Sequence, residues 1–208
     1  MSSGTGVFIA FEGCEGAGKS SRALVLARQL RAAGHDVVLT HEPGDSRIGP
    51  LIRAILLDPA NAGLDAHAEA LLYAADRAEH VASVVRPALD RGAVVVTDRY
   101  IDSSIAYQGV ARGLGAETIA DLSQFATGGL LPELTVVLDL PPTIGSNRLA
   151  SPADRLEAEP QEFHAGVRRA YIDLADASPE RYLVVDATLP EEQVDATILD
   201  AVKKLGLL

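Results

Sequence analysis

Lysine is almost missing from this chain: Lys19 is the only one in the first 202 residues, and arginine carries the fixed positive charge elsewhere before Lys203. That gap rules out the Asn-Lys-x-Asp element with which a GTP switch reads guanine, because no lysine between Lys19 and Lys203 is there to form it. Cysteine is reduced to Cys14, so no intramolecular disulfide exists, and Met1 to Gly6 lacks the charged and apolar regions of a secretion signal. A cytoplasmic protein is expected. No uncharged apolar run reaches the length of a membrane span, which excludes a helical membrane protein. Positive charge is scarce: 18 Lys and Arg against 29 Asp and Glu leave a net charge of −11. A broad nucleic-acid-binding surface needs the opposite field, so anionic ligands must be met by local arginine clusters.

The lone lysine sits in Gly13-Cys14-Glu15-Gly16-Ala17-Gly18-Lys19-Ser20, a complete G-x-x-x-x-G-K-S phosphate-binding loop followed by Ser21. In such a loop the glycines let backbone N–H groups turn onto a polyphosphate, and the next helix adds the positive end of its dipole. Lys19 is expected to stand open to ligand and reach the β- and γ-phosphates, with the Ser20 hydroxyl on Mg²⁺. The flanks agree: Val7 to Phe11 is a short apolar run suited to a buried strand, and Ala23, Leu26, Ala27 and Leu30 recur at helical spacing until Gly34. Cys14 reads as a small filler, although neighbouring phosphate-binding N–H groups are the kind of surroundings that lower a thiol pKa.

With 208 residues, 48% of them hydrophobic, the chain fits one α/β domain with a sizeable core. Strand-like runs at Val37–Thr40, Ala93–Thr97, Leu134–Leu138 and Tyr182–Val185 alternate with helical stretches at Ile48–Leu57, Ala68–Val85, Glu117–Ala126, Glu162–Ala177 and Glu191–Leu205. With the first run, this predicts a parallel five-stranded sheet flanked by helices on both faces. Ligands of such sheets gather beyond the carboxyl ends of the strands.

Asp98 ends a Val-rich strand, where a P-loop enzyme holds Mg²⁺ or one of its waters. Arg99 beside it either binds a phosphate or pairs with Asp98. Asp139 also ends a strand, but Pro141-Pro142 follows and points to a capping or turn role. Arg53 reads equally as a solvated helix charge or as a ligand contact. Tyr73 and Arg77 lie four residues apart on one helix face, which suits core packing plus a salt bridge as well as a nucleobase and its phosphate.

Taken together, the motifs resemble those of the thymidylate kinases, P-loop enzymes that transfer the γ-phosphoryl of ATP to dTMP. The resemblance spans nearly the whole chain. It rests on Phe11-Glu12-Gly13, Glu42-Pro43-Gly44, Leu71 to Arg77, Asp98-Arg99-Tyr100, Ser103-Ser104-Ile105-Ala106-Tyr107-Gln108-Gly109, Asp154-Arg155-Leu156-Glu157 and Val185-Asp186-Ala187. The Asp-Arg-Tyr segment with Ser-Ser-x-Ala-Tyr-Gln-Gly is far more specific than the P-loop.

The resemblance implies that Gly13 to Ser21 bind ATP, that Ser20 and Asp98 serve Mg²⁺, and that the protein is a homodimer. It implies that Glu15 accepts a hydrogen bond from the dTMP 3′-hydroxyl, that Tyr73 stacks on thymine, and that Arg77 and Arg99 hold the monophosphate with Arg53 in support. Ser104 and Gln108 would read the base, with Ser103 in the same pocket, and Tyr107 would fill the space that a 2′-hydroxyl needs. Residues 148–159 are similar to the family's lid, which makes Arg148 and Arg155, with Lys19 and Arg99, the candidate catalytic cations. The chain departs from the family pattern at His41, usually Arg, at Gly44-Asp45-Ser46, usually Gly-Gly-Thr, and in a short lid with Ser151-Pro152-Ala153. Those departures imply either weaker turnover or a shift of charge roles to Arg47. The nearest rival is another nucleoside or nucleotide kinase of the same architecture.

Overall fold

A computed structural model of the chain describes residues 6–148 and 154–208. In chain order the elements are β1 (Val7–Gly13), α1 (Lys19–Ala32), β2 (Val37–His41), α2 (Gly49–Leu57), α3 (Ala66–His80), α4 (Arg86–Asp90), β3 (Val94–Asp98), α5 (Ile101–Ser104), α6 (Ala116–Thr127), β4 (Leu134–Asp139), α7 (Pro142–Ser146), α8 (Gln161–Ala177), β5 (Tyr182–Asp186) and α9 (Glu191–Lys204). The described strands form one parallel sheet in the order β2-β3-β1-β4-β5. All five runs expected from the sequence are there, because β-branched and aromatic residues buried on both faces suit a central parallel strand.

The period-two alternation of β1 sorts its side chains between two cores. Ile9 and Phe11 join Ala23, Leu26, Ala27 and Leu30 of α1 and Val194, Ile198 and Val202 of α9 on one face. Phe8 and Ala10 face the other way, toward Val81, Val85, Ala88 and Tyr100. Full burial of a leucine such as Leu26 or Leu30 stabilises by about 1.5–3 kcal/mol. The amphipathic stripe read from the sequence is therefore what fastens α1 under the sheet.

One expected helix is interrupted, and residues 101–111 are helical where no helix is expected, each for a local reason. The predicted Ala68–Val85 helix is α3 followed by a π-helical turn at Val81–Val85 and then α4. Pro87 lacks an N–H, and its ring disfavours the normal ladder one turn back, so the chain widens by one residue there. Residues 101–111 carry α5 and a second π-helical turn at Ile105–Ala111. Serines and a glycine make this a weak helix by propensity, and burial of Ile101, Ile105 and Ala106 imposes it.

Because β1 leads by way of α1 to the far edge strand β2, the carboxyl ends of β1 and β3 lie side by side, with Phe11 in register with Asp98. The loop 14–18 and the segment 98–100 thus meet at the switch point of the sheet.

Candidate active site

The loop after β1 is shaped by its glycines. Gly18 caps α1 at φ +89°, a left-handed conformation that any side chain would strain, and α1 begins with no side-chain cap on its first-turn amides. Gly16 leaves no room for a Cβ, which would fall on the Gly145 carbonyl of α7. Lys19 borders the larger of two cavities but is little exposed. It is buried, and its Nζ donates to the Cys14 carbonyl at 2.8 Å. Burial and the charge of Arg99 lower its pKa. Cys14 is also buried, and burial together with the Glu15 charge pushes its thiol up to about 11, opposite to the lowering read from its neighbours. It behaves as core.

Arg99 holds φ +71°, a left-handed backbone that costs a non-glycine residue on the order of 1–3 kcal/mol. Its amide donates to the Phe11 carbonyl at 2.8 Å, and the Arg99 carbonyl accepts from Thr97 Oγ1 at 3.0 Å. Arg99 does not pair with Asp98. Its guanidinium reaches the loop instead, 3.1 Å from Glu15 Oε1 and 3.0 Å from Ser103 Oγ. Asp98 accepts a short hydrogen bond from the Ser20 hydroxyl, while its Oδ1 is buried with no hydrogen-bond partner among the described residues. Asp139, expected in a capping or turn role, forms a two-pronged pair with Arg168 of α8 at 2.6 and 2.9 Å.

A cavity of about 600 Å³ opens beside these groups. Its walls include Glu15, Lys19, Ser20, Arg53, Tyr73, Arg77, Asp98, Arg99, Ser103, Ser104, Tyr107, Gln108 and Glu157, so residues up to 142 positions apart share one space. Tyr73 and Arg77 are both buried, and both border this cavity. Arg77 is buried against Glu42 at 2.7 Å and donates to Ser104 Oγ and the Tyr100 carbonyl, each at 3.0 Å. Arg53 donates to the Pro43 carbonyl at 2.8 Å, and Gln108 to Glu69 at 2.8 Å. A second cavity of about 340 Å³ lies across the loop, bordered by Gly16, Ala17, Gly18, Ser21, Arg22 and Arg148 among others. Gly16 borders both.

The family description "Thymidylate kinase" matches residues 11–198. The chain is 54% identical over 197 residues to a thymidylate kinase of Clavibacter michiganensis subsp. michiganensis (strain NCPPB 382), covering 93% of each protein. It is 48% identical over 203 residues to that of Deinococcus radiodurans, covering 97% of this chain and 98% of the relative. The protein belongs to the thymidylate kinase family.

The family's signature segments occupy defined places. Asp154 Oδ1 accepts from the amides of Leu156 and Glu157 at 2.8 and 2.9 Å, and Glu157 returns a carboxylate to the Asp154 amide at 3.0 Å, a reciprocal cap. Arg155 is turned away from both cavities, buried with Nη1 2.6 Å from Glu69 and Nε on the Leu56 carbonyl at 2.8 Å. Arg148 is exposed, 3.5 Å from the Gly16 carbonyl. The two lid arginines are thus not equivalent here. Leu149 to Ala153, the middle of the lid segment, lie outside the described residues. Arg47 is exposed, and His41 lies 3.7 Å from Asp45.

Several site residues escaped the sequence reading. Glu12 is fully buried and accepts from the Tyr100 and Ser103 amides at 2.8 and 3.2 Å, from Ser103 Oγ at 2.6 Å and from Tyr171 at 3.0 Å. It braces the segment that carries Arg99. His164 stands behind Glu15, and Glu69 gathers Gln108, Arg112 and Arg155. A charged residue ending an apolar strand was the available signal for Glu12.

Proposed function

We propose that the protein transfers the γ-phosphoryl of ATP to dTMP, giving dTDP and ADP, with dTMP in the larger cavity and ATP along the P-loop and the smaller one. The observation that carries this reading is the pair of cavities meeting at Gly16, one walled by arginines, carboxylates and tyrosines, the other by the start of α1. Two occupants would bring their phosphates together there, and positioning with charge neutralisation supplies most of what phosphoryl transfer requires. Lys19 and the first-turn amides of α1 would hold the donor phosphates, with Gly13 to Ser21 around them.

On the acceptor side Arg99 would bind the monophosphate, with Arg53 and Arg77 in support. Tyr73 would stack on the base, and Ser103, Ser104 and Gln108 would contact it or its neighbours. Glu15 would accept from the 3′-hydroxyl. Tyr107 would close the space at C2′. Arg148, exposed beside Gly16, is better placed than Arg155 to neutralise the transferred group.

The oxygens of Ser20 and Asp98 suit Mg²⁺, a hard cation that takes one or two protein oxygens and completes its shell with water and phosphate. Asp98 Oδ1, buried and without a partner among the described residues, stands at the cavity wall and supports that fit. Bound there, the ion would offset charge on the β- and γ-phosphates.

We place the protein in the cytoplasm, in keeping with its single buried cysteine. The whole chain would act as one domain with a lid at 148–159. Among the described residues no helix is long and apolar enough to cross a membrane. A homodimer is part of the same reading: α3 packs against α2 and α6, and Leu51, Ile55, Leu71 and Phe125 on these helices are exposed apolar side chains that a second copy would cover.

Calorimetric titration of dTMP against thymidine tests the acceptor site. Thymidine lacks the phosphate for Arg99 and is expected to bind at least about tenfold more weakly, the scale of one charge-assisted contact. Equal affinities would remove Arg99 from phosphate binding.

A further inference from the structure

His164 lies on the first turn of α8, with Nδ1 3.5 Å from Glu15 Oε2. The two carboxylate oxygens of Glu15 are treated differently. Oε1 receives Arg99 at 3.1 Å and a short hydrogen bond from the Tyr107 hydroxyl, whereas Oε2 is buried and has no hydrogen-bond partner among the described residues. A buried carboxylate oxygen left in that state is costly, and the nearest cation to it is His164 at an ion-pair distance. Glu15 also borders the larger cavity, and His164 does not. His164 therefore acts on the cavity through Glu15.

We propose that His164 is a positioning residue for sugar recognition: its imidazolium holds Glu15 from behind, so that the carboxylate is charged and oriented to accept from the 3′-hydroxyl of the acceptor nucleotide. The proposal rests on the reading of Glu15 as the partner of that hydroxyl.

The surroundings of the pair agree with this role. Burial works against the Glu15 carboxylate, yet His164, Arg99, Lys19 and Tyr107 together hold it well below the usual carboxylate range. Glu15 in turn raises the His164 pKa, against the opposing effect of burial, and the backbone carbonyls of Glu157 and Glu159 act in the same direction. The Phe163 ring lies edge-on to the imidazole at 5.5 Å and to Tyr107 at 6.0 Å. Cys14, below, is held in its neutral thiol form by its raised pKa. Arg168, one turn on along α8, is taken up by Asp139. Glu15 is thus the carboxylate that faces the imidazole.

The sign of the pH effect follows. A raised pKa keeps His164 charged at and somewhat above its ordinary range, and the hold on Glu15 weakens as pH rises through that raised value. Recognition of the 3′-hydroxyl should weaken with it.

The test is the ratio of kcat/KM for dTMP over 3′-deoxythymidine 5′-monophosphate, measured from pH 6 to 9 in wild type, His164→Gln and His164→Asn, with folding checked by circular dichroism. Both acceptors carry the same phosphate, so its titration cancels in the ratio. In wild type the ratio is expected to exceed one and to fall by about three- to tenfold as pH rises, the size of an ordinary net hydrogen bond. In the variants it should sit near the high-pH level and lose its pH dependence. A purely structural role would lower both acceptors equally and leave the ratio and its profile unchanged, which overturns the proposal. A wild-type ratio of one would show that the 3′-hydroxyl is not read at all, and would overturn the Glu15 assignment together with His164. The wild-type profile stands without any variant: a ratio above one that stays flat with pH removes the imidazolium from the site.

Discussion

Arg155 Nη1 lies 2.6 Å from Glu69, both side chains buried, so that an arginine of the lid segment is tied to α3 and not aimed at the P-loop. Arg112 shares Glu69 at 3.4 Å and adds a 2.6 Å pair with Glu159, and Gln108 of the larger cavity donates to the same carboxylate. The Asp-Arg-Leu-Glu signature thereby reads as a docking device: Asp154 caps the turn, and Arg155 fastens it.

Arg155→Ala and Arg148→Ala should consequently fail in different ways. Removing one partner of a buried pair costs about 3–5 kcal/mol, reduced here to roughly 2–3 because Arg112 and Gln108 remain on Glu69. Thermal unfolding of Arg155→Ala should show that loss. Arg148→Ala should unfold like wild type and lower kcat more than it raises KM for dTMP, as expected for a contact made in the transition state. Normal turnover by a folded Arg148→Ala would move the charge-neutralising role to another cation, with Arg99 or Arg47 next to examine.

Tyr107 combines two functions that substitution can separate. Its hydroxyl bonds Glu15, and the Arg99 guanidinium lies 5.2 Å from its ring centroid. Tyr107→Phe keeps the ring and should retain preference for dTMP over ribothymidine monophosphate, although it loses the bond to Glu15. Tyr107→Ala removes the steric wall and should shift the ratio of kcat/KM for these acceptors toward the ribonucleotide, even as lost packing lowers both. An unchanged ratio in the alanine variant would make the ring a core residue without a part in sugar selection.

How much of this was legible before the structure depended on sequence distance. The strands, α1 and the P-loop are local patterns, and short apolar runs or i, i+3, i+4 spacing declare them. The opposing charges inside the site are not local: Glu15 and His164 are 149 positions apart by their numbers, and Glu12 and Tyr171 are 159 apart. Nothing in either neighbourhood announces the partner. Arg155 shows the same limit from the other side, since its motif was plain but the direction of its guanidinium was set by Glu69 on a distant helix.

Asp76 gives the fold a pH dependence that one substitution isolates. It is buried beside Glu42, accepts from the Gly44 amide at 3.2 and 3.3 Å, and burial followed by the Glu42 charge pushes it up from 3.8 to about 6. Its folded form holds a proton that the unfolded chain releases between those values, so the wild type loses stability as pH rises from about 4 to 6 and loses no more beyond. Asp76→Asn removes that titration. Chemical denaturation across this range should show wild type falling relative to the variant by up to about 3 kcal/mol, from about 1.4 kcal/mol per pKa unit. A constant difference would mean that Asp76 is ionised in the fold throughout.

The most direct measurement is ADP release with ATP and Mg²⁺ across a panel of nucleoside monophosphates, with thymidine as the unphosphorylated control, in wild type and Lys19→Ala. The expected result is turnover with dTMP above the other monophosphates, none with thymidine, and loss of turnover in a Lys19→Ala protein whose fold is verified separately because Lys19 is buried. Phosphorylation of thymidine in preference to dTMP, or near-normal turnover by the folded Lys19→Ala protein, would contradict it.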